Sequence, residues 1–115
     1  MRRGEVLEAL ERVVASRKGD SPEKSYTSRL LAGGVPRIAA KVTEEAGELV
    51  RAAASEADAR VVAEAADLLY HTLVLLAARD LGLAAVEEEL ARRFGVSGLE
   101  EKAARTGGRA SEGGT

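Results

Sequence analysis

The chain has 115 residues and a formal charge of −2, room for one domain whose core is modest enough to gain from a partner subunit. Hydrophobic residues at 45% and charged residues at 31% exclude a disordered chain. The absence of a basic excess, with only Tyr26, Tyr70 and Phe94 as aromatics, argues against a nucleic-acid partner.

Twenty-two alanines accompany abundant Leu, Glu and Arg while Ile, Thr, Tyr and Phe are sparse, which predicts an all-α fold, a bundle of four to five helices. The Met1-Arg-Arg-Gly opening leads into an amphipathic, Glu-bearing stretch instead of an apolar signal segment, which points to a cytoplasmic protein. In a first helix, Glu5 to Arg17, Val6, Leu7, Leu10, Val13 and Val14 recur at spacings of three and four and form one apolar stripe. Lys18 to Pro22 ends it. Ser25 to Gly34 is expected to make a short helical turn closed by a glycine pair, and Pro36 suits the first turn of a second long helix from about Val35 to Ala54.

Ser55 to Asp58 is a polar break in which Ser55 or Asp58 serves as N-cap. The third helix, about Ala57 to Asp80, is the most apolar and is expected at the centre of the bundle. Its apolar run from Ala65 to Ala78 is broken by Asp67 and His71 and falls short of the roughly 18–20 residues that span a bilayer, so no membrane is expected. Gly82 precedes a fourth helix, Leu83 to Phe94, with a Leu83, Val86, Leu90 and Phe94 stripe and a solvated Glu87-Glu88-Glu89 run. After a break at Gly95 to Gly98, Leu99 to Arg105 makes a last turn. Residues 1–105 therefore read as a single domain and 106–115 as a disordered tail.

The chemistry concentrates on two helices. At about 100° per residue, Lys41, Glu45 and Glu48 share one face of the second helix, with Glu44 at its margin. Glu64, Asp67 and His71 make a polar stripe on the apolar third helix, where an unpaired carboxylate is costly and Arg60 offsets Glu64 only in part. Glu45 with Glu48 and Glu64 with Asp67 can face one another across antiparallel helices, and a divalent cation resolves their repulsion. With no cysteine, the ligands are oxygens, which favours Mg²⁺, with Mn²⁺ as a substitute. Mg²⁺ commonly meets its substrate through phosphate oxygens. Lys24, Arg29, Arg37 and Lys41, with hydroxyls from Ser25, Tyr26, Thr27 and Ser28, are candidate phosphate binders. Taken alone, the carboxylates also fit a solubilising surface, and His71 fits a satisfied helix-interface histidine as well as a substrate contact or an aid to proton transfer.

Ser25-Tyr26-Thr27 with Leu30-Leu31, Lys41-Val42-x-Glu44-Glu45-x-x-Glu48, Glu64-Ala65-Ala66-Asp67-Leu68-Leu69-Tyr70-His71 and Ser97-Gly98-Leu99-Glu100-Glu101-Lys102 resemble the phosphoribosyl-ATP pyrophosphohydrolase family, within the all-α, MazG-like nucleotide pyrophosphohydrolases. One departure is Thr43, where that family commonly has glycine; it faces away from the Lys41, Glu45 and Glu48 stripe. The resemblance implies hydrolysis of phosphoribosyl-ATP to phosphoribosyl-AMP and pyrophosphate in histidine biosynthesis, by a stand-alone version of an enzyme that also occurs fused to a cyclohydrolase. It further implies Mg²⁺ on Glu45, Glu48, Glu64 and Asp67, and a homodimer that completes the bundle. Glu44 is then the candidate to orient or deprotonate water, and Lys24, Arg29, Arg37, Lys41 and His71 are the candidates to meet the substrate. The competing readings are a sibling hydrolase of noncanonical nucleoside triphosphates and a noncatalytic helical dimer.

Overall fold

A computed structural model describes residues 2–94. Every regular element among them is helical: α1 (Glu5–Ser16), α2 (Tyr26–Ser55), α3 (Asp58–Ala78) and α4 (Leu83–Arg92). The all-α expectation therefore holds for the described residues. The break at 95–98, the last turn at 99–105, the tail at 106–115 and the Ser97-to-Lys102 motif lie outside them.

Residues up to Leu83 form one compact unit. Its frame is the α2–α3 hairpin, two extensively packed helices joined by only Glu56 and Ala57. Ala57, in extended backbone, is the N-cap of α3 and offers no side-chain cap. The expected caps are thus corrected. Ser55 is the last residue of α2, its Oγ donating back to the Arg51 carbonyl at 3.3 Å, and Asp58 already lies in the first turn of α3, where its charge favours the helix N-terminus.

α2 is two helical segments in one. Ser25 caps the first, accepting the Ser28 N–H at 3.0 Å. Gly34, at φ 84° and ψ 174°, breaks the helix with a backbone conformation open in practice to glycine alone. Pro36 then sits in the opening turn of the second segment, where a missing N–H leaves no helical bond unmade. The helical turn, glycine pair and long helix expected from the sequence are all present, joined at a kink.

The core is small: Val14, Leu30, Ile38 and Val74 are buried, with Leu10, Leu31, Tyr70 and Leu75 packed against them. α1 packs lightly on α3, so its stripe is only half used: Val6 and Val13 stay exposed. α3 is less central than expected, because Val62 and Leu69 face outward at 69% and 51% exposure. It is long and apolar enough to cross a membrane by length and composition alone, a test that core helices also pass; its buried Glu64, His71, Leu73 and Val74 mark such a core role.

α3 ends in a Schellman motif, with the Leu81 N–H on the Leu76 carbonyl at 2.9 Å and the Asp80 N–H on the Ala77 carbonyl at 3.0 Å. The left-handed position belongs to Asp80, at φ 59°, rather than to a glycine. Lys18 ties the motif to the end of α1 by donating to the Ala77 carbonyl at 2.6 Å and to the Asp80 carboxylate. α4, taken by itself, ends at Arg92 rather than at the expected Phe94; Val86 and Leu90 on it and Phe94 just beyond it are exposed, and Glu89 pairs with Arg92 and Arg93.

Candidate functional site

The second segment of α2 and the first half of α3 bring three carboxylates together. Glu45 and Glu48, one turn apart on α2, meet Glu64 of α3, with one oxygen from each lying within 4.8 Å of the others. The short Glu56–Ala57 connection makes the helices antiparallel neighbours, as the paired spacings anticipated. Asp67 lies one turn beyond Glu64, exposed and outside the trio.

Two bases meet part of this negative charge. Arg60, one turn before Glu64, holds Glu64 Oε2, and Lys41 Nζ stands 4.0 Å from Glu45 Oε2. The other oxygens, Glu45 Oε1 and Glu64 Oε1, are buried with no hydrogen-bond partner. Each forgoes the bonds it would have in water. Burial first, then the neighbouring Glu48, pushes the Glu64 carboxyl above the usual carboxylate range. Three converging carboxylates with two bare buried oxygens fit a hard divalent cation, which would satisfy both oxygens and cancel the repulsion.

Glu44 sits beside the trio on the exposed side. Lys41 donates to its Oε1 at 2.8 Å, and this bond, with the ammonium charge, holds the Glu44 carboxyl below the usual range. The same bond raises the Lys41 ammonium. Lys24, Arg29 and Arg37 are exposed along the turn before α2 and across its kink; Arg29 lies 6.0 Å over the Tyr26 ring, and the Arg37 side chain rests against Gly33.

The hydroxyls of the Ser25–Ser28 segment are committed within the fold rather than presented as free phosphate donors. Ser25 bonds both the Ser28 N–H and its Oγ, the latter at 2.8 Å, and Thr27 bonds the Tyr70 hydroxyl. The Tyr26 hydroxyl lies 3.1 Å from His71 Nε2, and His71 Nδ1 is 2.8 Å from the Asp67 carbonyl. His71 is buried with both nitrogens engaged, as a satisfied interface histidine. Two clefts in this unit, of about 310 and 490 Å³, are lined by parts of α1, its following turn, the kink and the end of α3; none of the three carboxylates lines either, so charge chemistry rather than cavity shape locates the site.

The family model for phosphoribosyl-ATP pyrophosphohydrolase matches residues 7–94. A phosphoribosyl-ATP pyrophosphatase of Trichlorobacter lovleyi is 56% identical over 89 residues, covering 77% of this chain and 82% of that protein. One from Pyrobaculum calidifontis is 53% identical over 88 residues, covering 76% and 94%. The histidine biosynthesis bifunctional protein HisIE of Photobacterium profundum is 49% identical over 87 residues, which span 76% of this chain and 42% of that longer protein. A match over most of the chain, at about half identity and including both carboxylate helices, places it plainly: the chain belongs to the phosphoribosyl-ATP pyrophosphohydrolase family.

Proposed function

We propose that the protein hydrolyses the α–β phosphoanhydride of phosphoribosyl-ATP, releasing phosphoribosyl-AMP and pyrophosphate, as the second step of histidine biosynthesis in the cytoplasm. The observation that carries this reading is the family match over residues 7–94, with the bare buried oxygens of Glu45 and Glu64 within it.

Glu45, Glu48 and Glu64 would hold Mg²⁺, or Mn²⁺ in its place, with Asp67 reaching in from the next turn. When bound there, the ion would supply Lewis-acid polarisation of the phosphoryl oxygens and charge stabilisation for the leaving pyrophosphate. Lys41 holds the Glu44 carboxyl below the usual range, and a lowered basicity suits a carboxylate that orients the attacking water by accepting its hydrogen bond better than one that takes its proton. Lys41 stands between Glu44 and Glu45, where its ammonium can meet phosphate charge next to the metal face. Lys24, Arg29 and Arg37, exposed on the side of the kink, would neutralise the remaining phosphates or the ribosyl 5′-phosphate. His71, enclosed by Tyr26 and the Asp67 carbonyl, would reach substrate only through Tyr26. A second copy of the chain would cover the apolar residues left bare on α3.

The test is hydrolysis of phosphoribosyl-ATP by the purified protein with and without Mg²⁺, with the products identified. Turnover to phosphoribosyl-AMP and pyrophosphate that EDTA abolishes supports the assignment. Robust turnover of ordinary or modified nucleoside triphosphates with none of phosphoribosyl-ATP would sink it in favour of a sibling hydrolase.

A further inference from the structure

The Tyr26–His71 contact joins the first turn of α2 to the middle of α3 across 45 positions of sequence, and its polarity follows from elementary chemistry. A neutral imidazole carries one ring proton, and a carbonyl oxygen can only accept. In the neutral ring the 2.8 Å contact with the Asp67 carbonyl therefore puts that proton on Nδ1, leaving Nε2 as an acceptor. The Tyr26 O–H must then donate to His71.

The surroundings reinforce this choice. Tyr70 lies offset-stacked on Tyr26 at 6.3 Å and edge-on to His71 at 4.9 Å, and its own hydroxyl is taken by Thr27. His71 is 5% exposed, so its ring has no water to trade with, whereas Tyr26 is 44% exposed. Tyr26 stands among the groups proposed to meet the substrate: the Arg29 guanidinium lies 6.0 Å over its ring.

We propose that His71 is a positioning residue that fixes the sense of the Tyr26 hydroxyl, so that Tyr26 offers the substrate only lone pairs and selects a hydrogen-bond donor there. On a ribosyl nucleotide that donor is a sugar hydroxyl or an N–H of the base; a phosphate oxygen, which has no proton to give, is refused. This assignment rests on the proposed reaction for its ligand, but the His71 tautomer does not.

Because the chain has one histidine, two-bond ¹H–¹⁵N correlation spectra of the labelled protein at pH 8 contain a single imidazole. The expected result is a protonated Nδ1 with an unprotonated Nε2 whose shift moves on Tyr26→Phe. A protonated Nε2, or protons on both nitrogens, overturns the proposal whether or not phosphoribosyl-ATP is a substrate. Kinetics test the consequence. Tyr26→Phe is expected to raise KM for phosphoribosyl-ATP about fivefold with little change in kcat, as the loss of one hydrogen bond worth about 1 kcal/mol requires. His71→Gln, whose amide oxygen reaches the place of Nε2, is expected to hold KM within about twofold of wild type, while His71→Asn, which reaches only the place of Nδ1, matches Tyr26→Phe. Equal effects of the Gln and Asn variants, or a Tyr26→Phe variant that melts lower but keeps wild-type KM, would reduce the pair to a structural contact. Absence of turnover by the wild-type protein itself would count against the reaction and leave the tautomer result standing.

Discussion

Glu48 separates function from stability more cleanly than any other side chain of the acidic trio. It lies within reach of Glu45 and Glu64, is only partly buried, and contributes to the raised Glu64 pKa. Glu48→Gln should lower kcat/KM for phosphoribosyl-ATP about 10²–10³-fold, the range for removing one charge-stabilising group from a preorganised site. The same change relieves repulsion, so the metal-free protein should melt no lower than wild type; a noncatalytic helical dimer would keep its metal affinity and have no activity to lose. Protons compete for the same oxygens. Since burial and Glu48 raise Glu64, its contribution to the metal-free fold is fully present below the ordinary carboxylate value and is lost as pH rises through the raised one. A cation must displace that proton, so Mn²⁺ affinity, followed by the loss of its free-ion paramagnetic resonance signal, should increase with pH through this window. A flat affinity would mean that Glu64 is not a ligand.

At the scale of elements, the kink in α2 turns on one of two adjacent glycines. Gly34→Ala forces a Cβ into a backbone region costing about 1–3 kcal/mol, and each kcal/mol shifts the melting temperature of a domain this size by about 4–8 °C. Gly33→Ala should lose less than Gly34→Ala: its Cβ would come within 2.5 Å of Arg37 Cδ, which a flexible side chain can relieve by swinging aside, and within 3.3 Å of Arg37 Cβ, which the backbone must relieve by a few tenths of an ångström, while alanine favours the helix. Thermal melts followed by circular dichroism decide the pair, and equal losses at both would show that the kink does not depend on glycine at 34. Asp80 is a second special position. Asp80→Ala removes both the carboxylate that Lys18 grips and a residue tolerant of the left-handed region, so it should be less stable than Asp80→Gly, which removes only the former. These positions also show what sequence can and cannot reveal. The helices were legible because apolar spacing and glycine or proline punctuation are local, and Glu45, Glu48 and Glu64 were legible because i, i+3 carboxylates on packed helices have few places to go. The α3 cap and the left-handed Asp80 were not, since Ala57 and Asp80 owe their roles to backbone geometry and to Lys18 some 60 residues away. The Tyr26–His71 pair was hidden for the same reason: it exists only because the kinked α2 lies along α3.

For the whole molecule, the net charge of −2 conceals a division of labour, with bases spread from Lys24 to Lys41 and acids converging from Glu44 to Glu64. The apolar surface is divided too. Four side chains make the buried cluster, while Val50, Val62 and Leu69 remain 68%, 69% and 51% exposed. Val62 and Leu69 are seven residues apart on α3 and so share one face, on the same helix that carries Glu64 and His71. Leaving such a face in water forgoes stabilisation at about 25 cal/mol per Å² of apolar surface, which pairing with a second copy of the chain would recover. Sedimentation equilibrium should therefore give twice the chain mass at micromolar concentration. Replacing Val62 and Leu69 together by glutamate should give the chain mass instead. In the isolated chain both side chains are already solvated, so the double variant should keep its helicity, as exposed substitutions shift stability by only about 0.5 kcal/mol. Loss of phosphoribosyl-ATP hydrolysis in that folded monomer would make the carboxylate site dependent on the pairing of chains, full activity would make the dimer a matter of stability alone, and a wild-type protein that sediments as a monomer would overturn the pairing altogether.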